Sequence, residues 1–148
     1  MGRTTNLRRQ HDAAVALVEE IAGRLGGPPP SETEAYGLGM QLAKLSGLLR
    51  IHFAQEDKAL YPYMAASEHP DAVATAAAFQ DEMGGLGAVY ADFAGKWSSG
   101  RVIAGNFDGF RNDARAVFAA LADRIERENT ILYPLAEAIG PDQIRLTA

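Results

Sequence analysis

The sequence predicts an all-α protein: an up-down-up-down four-helix bundle with an internal pseudo-twofold repeat of helical hairpins. Three observations predict it. Apolar residues recur in steps of three and four along four segments, the periodicity of one helix face. Three clusters of turn-forming residues separate those segments. The second half of the chain also resembles the first at one offset, with Glu128 lying over Glu56 and Tyr133 over Tyr61. Period-two alternation, the mark of half-buried strands, is absent.

The first segment carries Leu7, His11, Ala14, Val18, Ile21 and Leu25, and Gly26-Gly27-Pro28-Pro29-Pro30 stops it. Ser31-Glu32-Thr33-Glu34 opens the second with a capping-box pattern, in which each end of the tetrapeptide satisfies a free N–H of the other. Its seam is Leu42, Leu45, Leu49, His52, Glu56, Ala59 and Tyr63. Ser67-Glu68-His69-Pro70-Asp71 is the second break, and Pro70 suits a helix first turn because its missing N–H has no partner to lose there. The third seam is Phe79, Met83, Leu86, Tyr90, Phe93 and Trp97. Ser98-Ser99-Gly100 begins a third break that extends to Gly105 or Asn106. The fourth seam is Ala114, Val117, Leu121, Arg124, Glu128, Ile131 and Leu135. Short connections favour antiparallel neighbours. Glycines such as Gly37, Gly47, Gly84 and Gly85 cost helix stability unless they allow close packing. The tail from Gly140 to Ala148 carries no motif and is expected to pack on the bundle or fray.

A chain of 148 residues suits one domain, here residues 1–148. The net charge of −5 argues against nucleic acid as a partner, since phosphate recognition needs an excess of Lys and Arg. Cysteine is absent, which excludes disulfides, thiolate metal sites and cysteine nucleophiles. No stretch has the length and apolarity of a signal peptide core or a membrane span, so a soluble cytoplasmic protein is expected. A homo-oligomer is compatible with the composition.

Five polar residues interrupt the apolar seams: His11, His52, Glu56, Arg124 and Glu128. A buried charge without a partner is expensive, so these five must compensate one another, bind an ion or line a wet cavity. His52 and Glu56 are four apart and share a helix face; Arg124 and Glu128 repeat that spacing in the other hairpin. Two imidazoles and two carboxylates suit one iron, manganese or zinc ion, with water completing its shell. The competing reading is a metal-free buried network in which Arg124 neutralises the glutamates.

The chain resembles the hemerythrin-like, HHE cation-binding family over essentially its whole length. The residues that carry the resemblance are His11, then His52-Phe-Ala-Gln-Glu56-Asp through Leu60-Tyr61-Pro62, then Glu128. The resemblance implies that His11, His52, Glu56 and Glu128 stand at metal-ligand positions. Two positions depart from the family pattern: Met83 replaces the histidine of the third helix, and Arg124 that of the fourth. In the family's di-iron arrangement the histidines of the first two helices hold one metal, those of the last two hold the other, and the carboxylates bridge. By that resemblance this chain keeps the ligands of the first metal and has lost the terminal ligands of the second. A guanidinium about 4 Å from a second dication would repel it by roughly 8 kcal/mol at an effective dielectric near 20. The expectation is therefore at most one ion, iron first and manganese or zinc otherwise.

Met83 reads as a core plug, since a thioether is a poor ligand for hard ions. Glu82, beside the seam, reads as an exposed carboxylate and His69 as a solvated loop residue. Trp97 reads as structural. Tyr61 and Tyr133 occupy equivalent places just past the glutamates, where they serve as donors behind the ligands or as packing residues. Asp57 and Asn129 face outward or support the ligands from behind. The resemblance implies small-molecule work: binding of oxygen or nitric oxide, sensing, or iron handling. An enzyme would need the metal to acidify a water or activate a substrate. No Ser-His-Asp arrangement, phosphate loop or nucleotide fingerprint appears, so binding rather than catalysis is the expectation. The alternative remains a metal-free interaction or ligand-binding module.

Overall fold

The computed structural model describes residues 4–139; the side chain of Met83 and the tail Gly140–Ala148, on which two of the expectations above fall, lie outside the described residues. Everything regular in it is helical. In chain order the elements are α1 (Thr4–Leu25), α2 (Glu32–Gln55), a π-helical turn (Glu56–Leu60), α3 (Tyr61–Ala65), α4 (Pro70–Met83), α5 (Leu86–Lys96), α6 (Gly100–Gly105), α7 (Phe107–Arg127), a second π-helical turn (Glu128–Leu132) and α8 (Tyr133–Ile139). Helix α1 packs on α2 and α7, and α5 closes the ring by packing on both α2 and α7. No helix among the described residues is long and apolar enough to cross a membrane.

The predicted punctuation operates as its chemistry requires. Ser31 Oγ accepts from the Glu34 N–H at 3.1 Å while Glu34 Oε1 accepts from the Ser31 N–H at 2.9 Å, so both halves of the capping box are made. Pro70 sits in the first turn of α4. Two features were not anticipated. The third segment is broken at Gly84-Gly85 into α4 and α5. The third connection contains the short helix α6, capped by the Ser99 hydroxyl; a Cβ on Gly100 would come within 2.6 Å of the Tyr36 backbone, so this glycine lets α6 lie against α2.

The π-helical turns correct the predicted seams. Each begins at a glutamate and ends just before Tyr-Pro, at Pro62 and Pro134. A proline inside a helix clashes with the carbonyl four residues back and cannot bond to it. Widening the preceding turn relieves that clash, and the Tyr61 and Tyr133 N–H groups bond to Glu56 O and Glu128 O, five residues back. The wide turn inserts one residue into the helical register. Ala59 and Ile131, predicted for the seam, are exposed, and Leu60 and Leu132 are buried instead. Leu135 is only partly buried, and Tyr133 and Ala136 take the inward positions.

Two apolar cores result. One is built on Leu42, Leu45, Leu49, Phe93, Trp97, Phe110 and Leu121. The other is built on Leu7, Leu60, Met64, Phe79, Leu132 and Ile139. His11, His52, Glu56, Arg124 and Glu128 lie along the chain between members of the two and are themselves buried, a polar layer across the middle of the helices.

Candidate metal centre

Four sequence-predicted ligands converge. One ligand atom from each of His11, His52, Glu56 and Glu128 lies within 4.8 Å of the others. His11 Nε2 is 2.8 Å from Glu128 Oε1 and 3.1 Å from His52 Nε2. His52 Nε2 is 3.2 Å from Glu56 Oε2 and 3.5 Å from Glu128 Oε1. Helix α1 supplies His11 and α2 supplies His52, while the glutamates stand at the first residue of each π-helical turn.

The outer ring nitrogens decide what the inner ones offer. His11 Nδ1 donates to Asn129 Oδ1 at 2.8 Å, and His52 Nδ1 donates to Gln10 Oε1 at 2.7 Å. The Gln10 amide nitrogen is itself donated to Gln55 Oε1, which leaves the amide oxygen for the histidine. With Nδ1 carrying a proton, each imidazole turns its Nε2 inward, where it offers a lone pair to a metal ion or, with a second proton, a donor to the glutamates. Two such nitrogens and two carboxylate oxygens crowd together, a cluster of acceptors that a proton or a metal ion would relieve. Ligands about 2.1 Å from one ion stand roughly 3.0–3.4 Å from their neighbours, close to the spacings found here. The donor set and its geometry therefore fit a metal.

Arg124 occupies the other side of the glutamates. It donates from Nη2 to Glu56 Oε1 at 2.7 Å and from Nε to Glu128 Oε2 at 2.9 Å. Each carboxylate is thus split, one oxygen toward the histidines and one toward the guanidinium. The Phe53 ring lies under the guanidinium at 4.4 Å. A cavity of about 260 Å³ lies on this side, with Phe53, Asp57, Tyr61, Gln80 and Arg124 in its wall.

The charges set the protonation pattern. Burial opposes a charge on His52, but hydrogen bonds to Glu128 and Glu56 outweigh it and push its pKa up to about 9. Burial also opposes ionisation of Glu128, yet bonds to His11 and His52 and the Arg124 cation hold its carboxyl well below the usual range. At Glu56 burial prevails and the pKa is raised. In the absence of a metal, His52 and Arg124 are the cations that balance the two glutamates.

The two tyrosines part company. Tyr133 Oη donates to Glu56 Oε2 at 2.7 Å and also lies 3.2 Å from Glu128 Oε1. Burial raises its hydroxyl far above the ordinary phenol value, and the two carboxylates push the same way, so without a nearby metal cation it stays a phenol. Tyr61, its equivalent, is buried with a hydroxyl that has no hydrogen-bond partner. Its role as a donor behind the ligands is not realised. Asn129 does hydrogen-bond His11 from behind, whereas Asp57 is exposed. Glu82 pairs with Arg127 at the surface at 2.6 Å and does not reach the centre, and His69 is exposed. Trp97 is buried and donates its indole N–H to Asp113. Gln10 was missed by the sequence reading; its only signal is its place next to His11, which no spacing rule distinguishes.

The model of the hemerythrin HHE cation-binding domain matches residues 3–136. The chain belongs to that family. Searches of curated proteins and of solved structures returned no match. Membership and the buried His/Glu cluster together indicate a metal-binding site in this hemerythrin domain.

Proposed function

We propose that this hemerythrin-like domain holds one metal ion, with iron the first choice and manganese or zinc the alternatives. The ligands are His11, His52, Glu56 and Glu128. The observation that carries the proposal is the pair of inward-facing Nε2 atoms beside two carboxylates, each ring held from its far side by Asn129 or Gln10. Arg124 stands in for the second ion of the family pattern, bonded to the oxygens that such an ion would share. A resident ion supplies a Lewis-acid or redox centre for a small ligand such as oxygen or nitric oxide, in sensing or iron handling. The backbone supports a four-helix, up-down-up-down reading in which two hairpins are related by a pseudo-twofold repeat, since both π-helical turns start at equivalent glutamates. A cytoplasmic location belongs to the same proposal.

Metal analysis tests it. Protein purified without a metal-affinity step, from cells supplied with iron and manganese, should carry close to one ion per chain. Protein that refuses iron, zinc and manganese at neutral pH sinks the proposal. The second reading is a metal-free binding module, favoured by the contacts of Arg124 to both glutamates and by a His52 proton that completes the charge balance. It predicts that refusal.

A further inference from the structure

We infer that Tyr133 is a fifth ligand of the ion, binding through its phenolate oxygen and biasing the site toward ferric iron. The inference rests on the one-metal reading and adds to it a residue outside the His/Glu set. Its ground is position. Tyr133 Oη is 2.7 Å from Glu56 Oε2, 3.2 Å from Glu128 Oε1, 3.2 Å from His11 Nε2 and 3.4 Å from His52 Nε2. A donor standing behind a metal shell touches one ligand from outside and is remote from the rest. This oxygen neighbours all four, at distances like those between the closer pairs among them. It therefore belongs to the same shell.

The backbone accounts for the placement. The π-helical turn carries residue 133, five positions after Glu128, back over the glutamate; an ordinary helical turn would carry residue 132 there. As the oxygen–metal bond forms, the hydroxyl proton leaves to solvent, and no redox change is involved. Hard anionic oxygen prefers hard, highly charged ions, which places ferric iron ahead of zinc.

The test is spectroscopic and uses iron(III) alone as the probe. Iron-loaded protein should carry one iron per chain and show a visible phenolate-to-iron charge-transfer band with resonance-enhanced tyrosine ring modes. Tyr133→Phe should retain iron with at least tenfold weaker affinity and lose the band. Tyr61→Phe should keep it. Should Tyr133→Phe fail to fold, ring-deuterated tyrosine in the unmutated protein must shift the enhanced modes. One iron per chain without the band, or a band that survives Tyr133→Phe, overturns the inference and leaves the one-metal reading standing. Absence of bound iron, zinc and manganese alike overturns that reading and this inference together.

Discussion

Replacing Arg124 by methionine removes the counter-charge while keeping much of the apolar stem. Glu56 and Glu128 are both fully buried, and the change leaves Glu56 Oε1 and Glu128 Oε2 without the donors now at 2.7 and 2.9 Å. Removing one partner from a buried ion pair typically costs about 3–5 kcal/mol. The lost guanidinium–Phe53 contact adds about 1 kcal/mol. Proton uptake by Glu56, whose pKa is already raised by burial, returns part of this. A net loss of about 4 kcal/mol follows for the metal-free protein at neutral pH, read by urea unfolding with linear extrapolation. Arg124→Lys should fall between, because one ammonium cannot fork to two carboxylates as the guanidinium does. The same Arg124→Met protein should bind a divalent ion more tightly than the unmutated chain, since a neighbouring cation has gone. A stability loss below about 1 kcal/mol, or weakened metal binding, would refute the assignment of Arg124 as the cation that replaces a second metal.

The remaining predictions concern the histidine side and the repeat. His52 has a folded-state pKa near 9, above its ordinary 6.5, so its contribution to metal-free stability is complete below pH 6.5 and disappears as the pH rises through 9. That amounts to about 3 kcal/mol, and denaturation midpoints between pH 6 and 10 should fall accordingly; a flat profile contradicts it. Gln10→Leu and Asn129→Leu remove the acceptors that orient the two rings, and each should weaken metal affinity by roughly 10- to 100-fold in competition titrations while helix content by circular dichroism stays unchanged. Met83→His combined with Arg124→His restores the family's missing histidines and should raise metal content toward two per chain by elemental analysis. Unchanged content would show that the second half of the site lacks the geometry assumed.

Helix content, the breaks and the residues that cluster at the centre, His11, His52, Glu56 and Glu128, followed from local chemistry that a sequence displays. Spacing of three and four put His52 and Glu56 on one face, and Ser31 with Glu34 announced a cap. What escaped was anything dependent on a change of helical register. The predicted seams ran straight through Glu56 and Glu128 into Ala59 and Ile131, because periodicity assumes a constant turn. Pro62 and Pro134 were the available signals, and each marks a widened turn that moves Leu60 and Leu132 inward. The break at Gly84-Gly85 was announced only by a composition that the third seam outweighed. Gln10 was invisible for a different reason: it acts from a partly buried position on the flank of α1, where burial pattern carries no information.

The unequal fates of the two tyrosines connect these register shifts to the chemistry. Tyr61 and Tyr133 follow equivalent π-helical turns, so the backbone treats them alike. Their surroundings differ because the neighbouring side chains differ. On the histidine side, Tyr133 meets two carboxylate oxygens and two imidazole nitrogens. Tyr61 is buried just past Glu56, close enough to feel the charges of Glu56 and Arg124, yet its hydroxyl is bonded to nothing. A buried hydroxyl without a partner costs about 1–3 kcal/mol, a cost that an acceptor there would remove. Under the one-metal reading, the replacement of two histidines by Met83 and Arg124 therefore does more than remove candidate ligands. It leaves His11, His52 and Tyr133 grouped on one side of the glutamates and a salt bridge from Arg124 on the other.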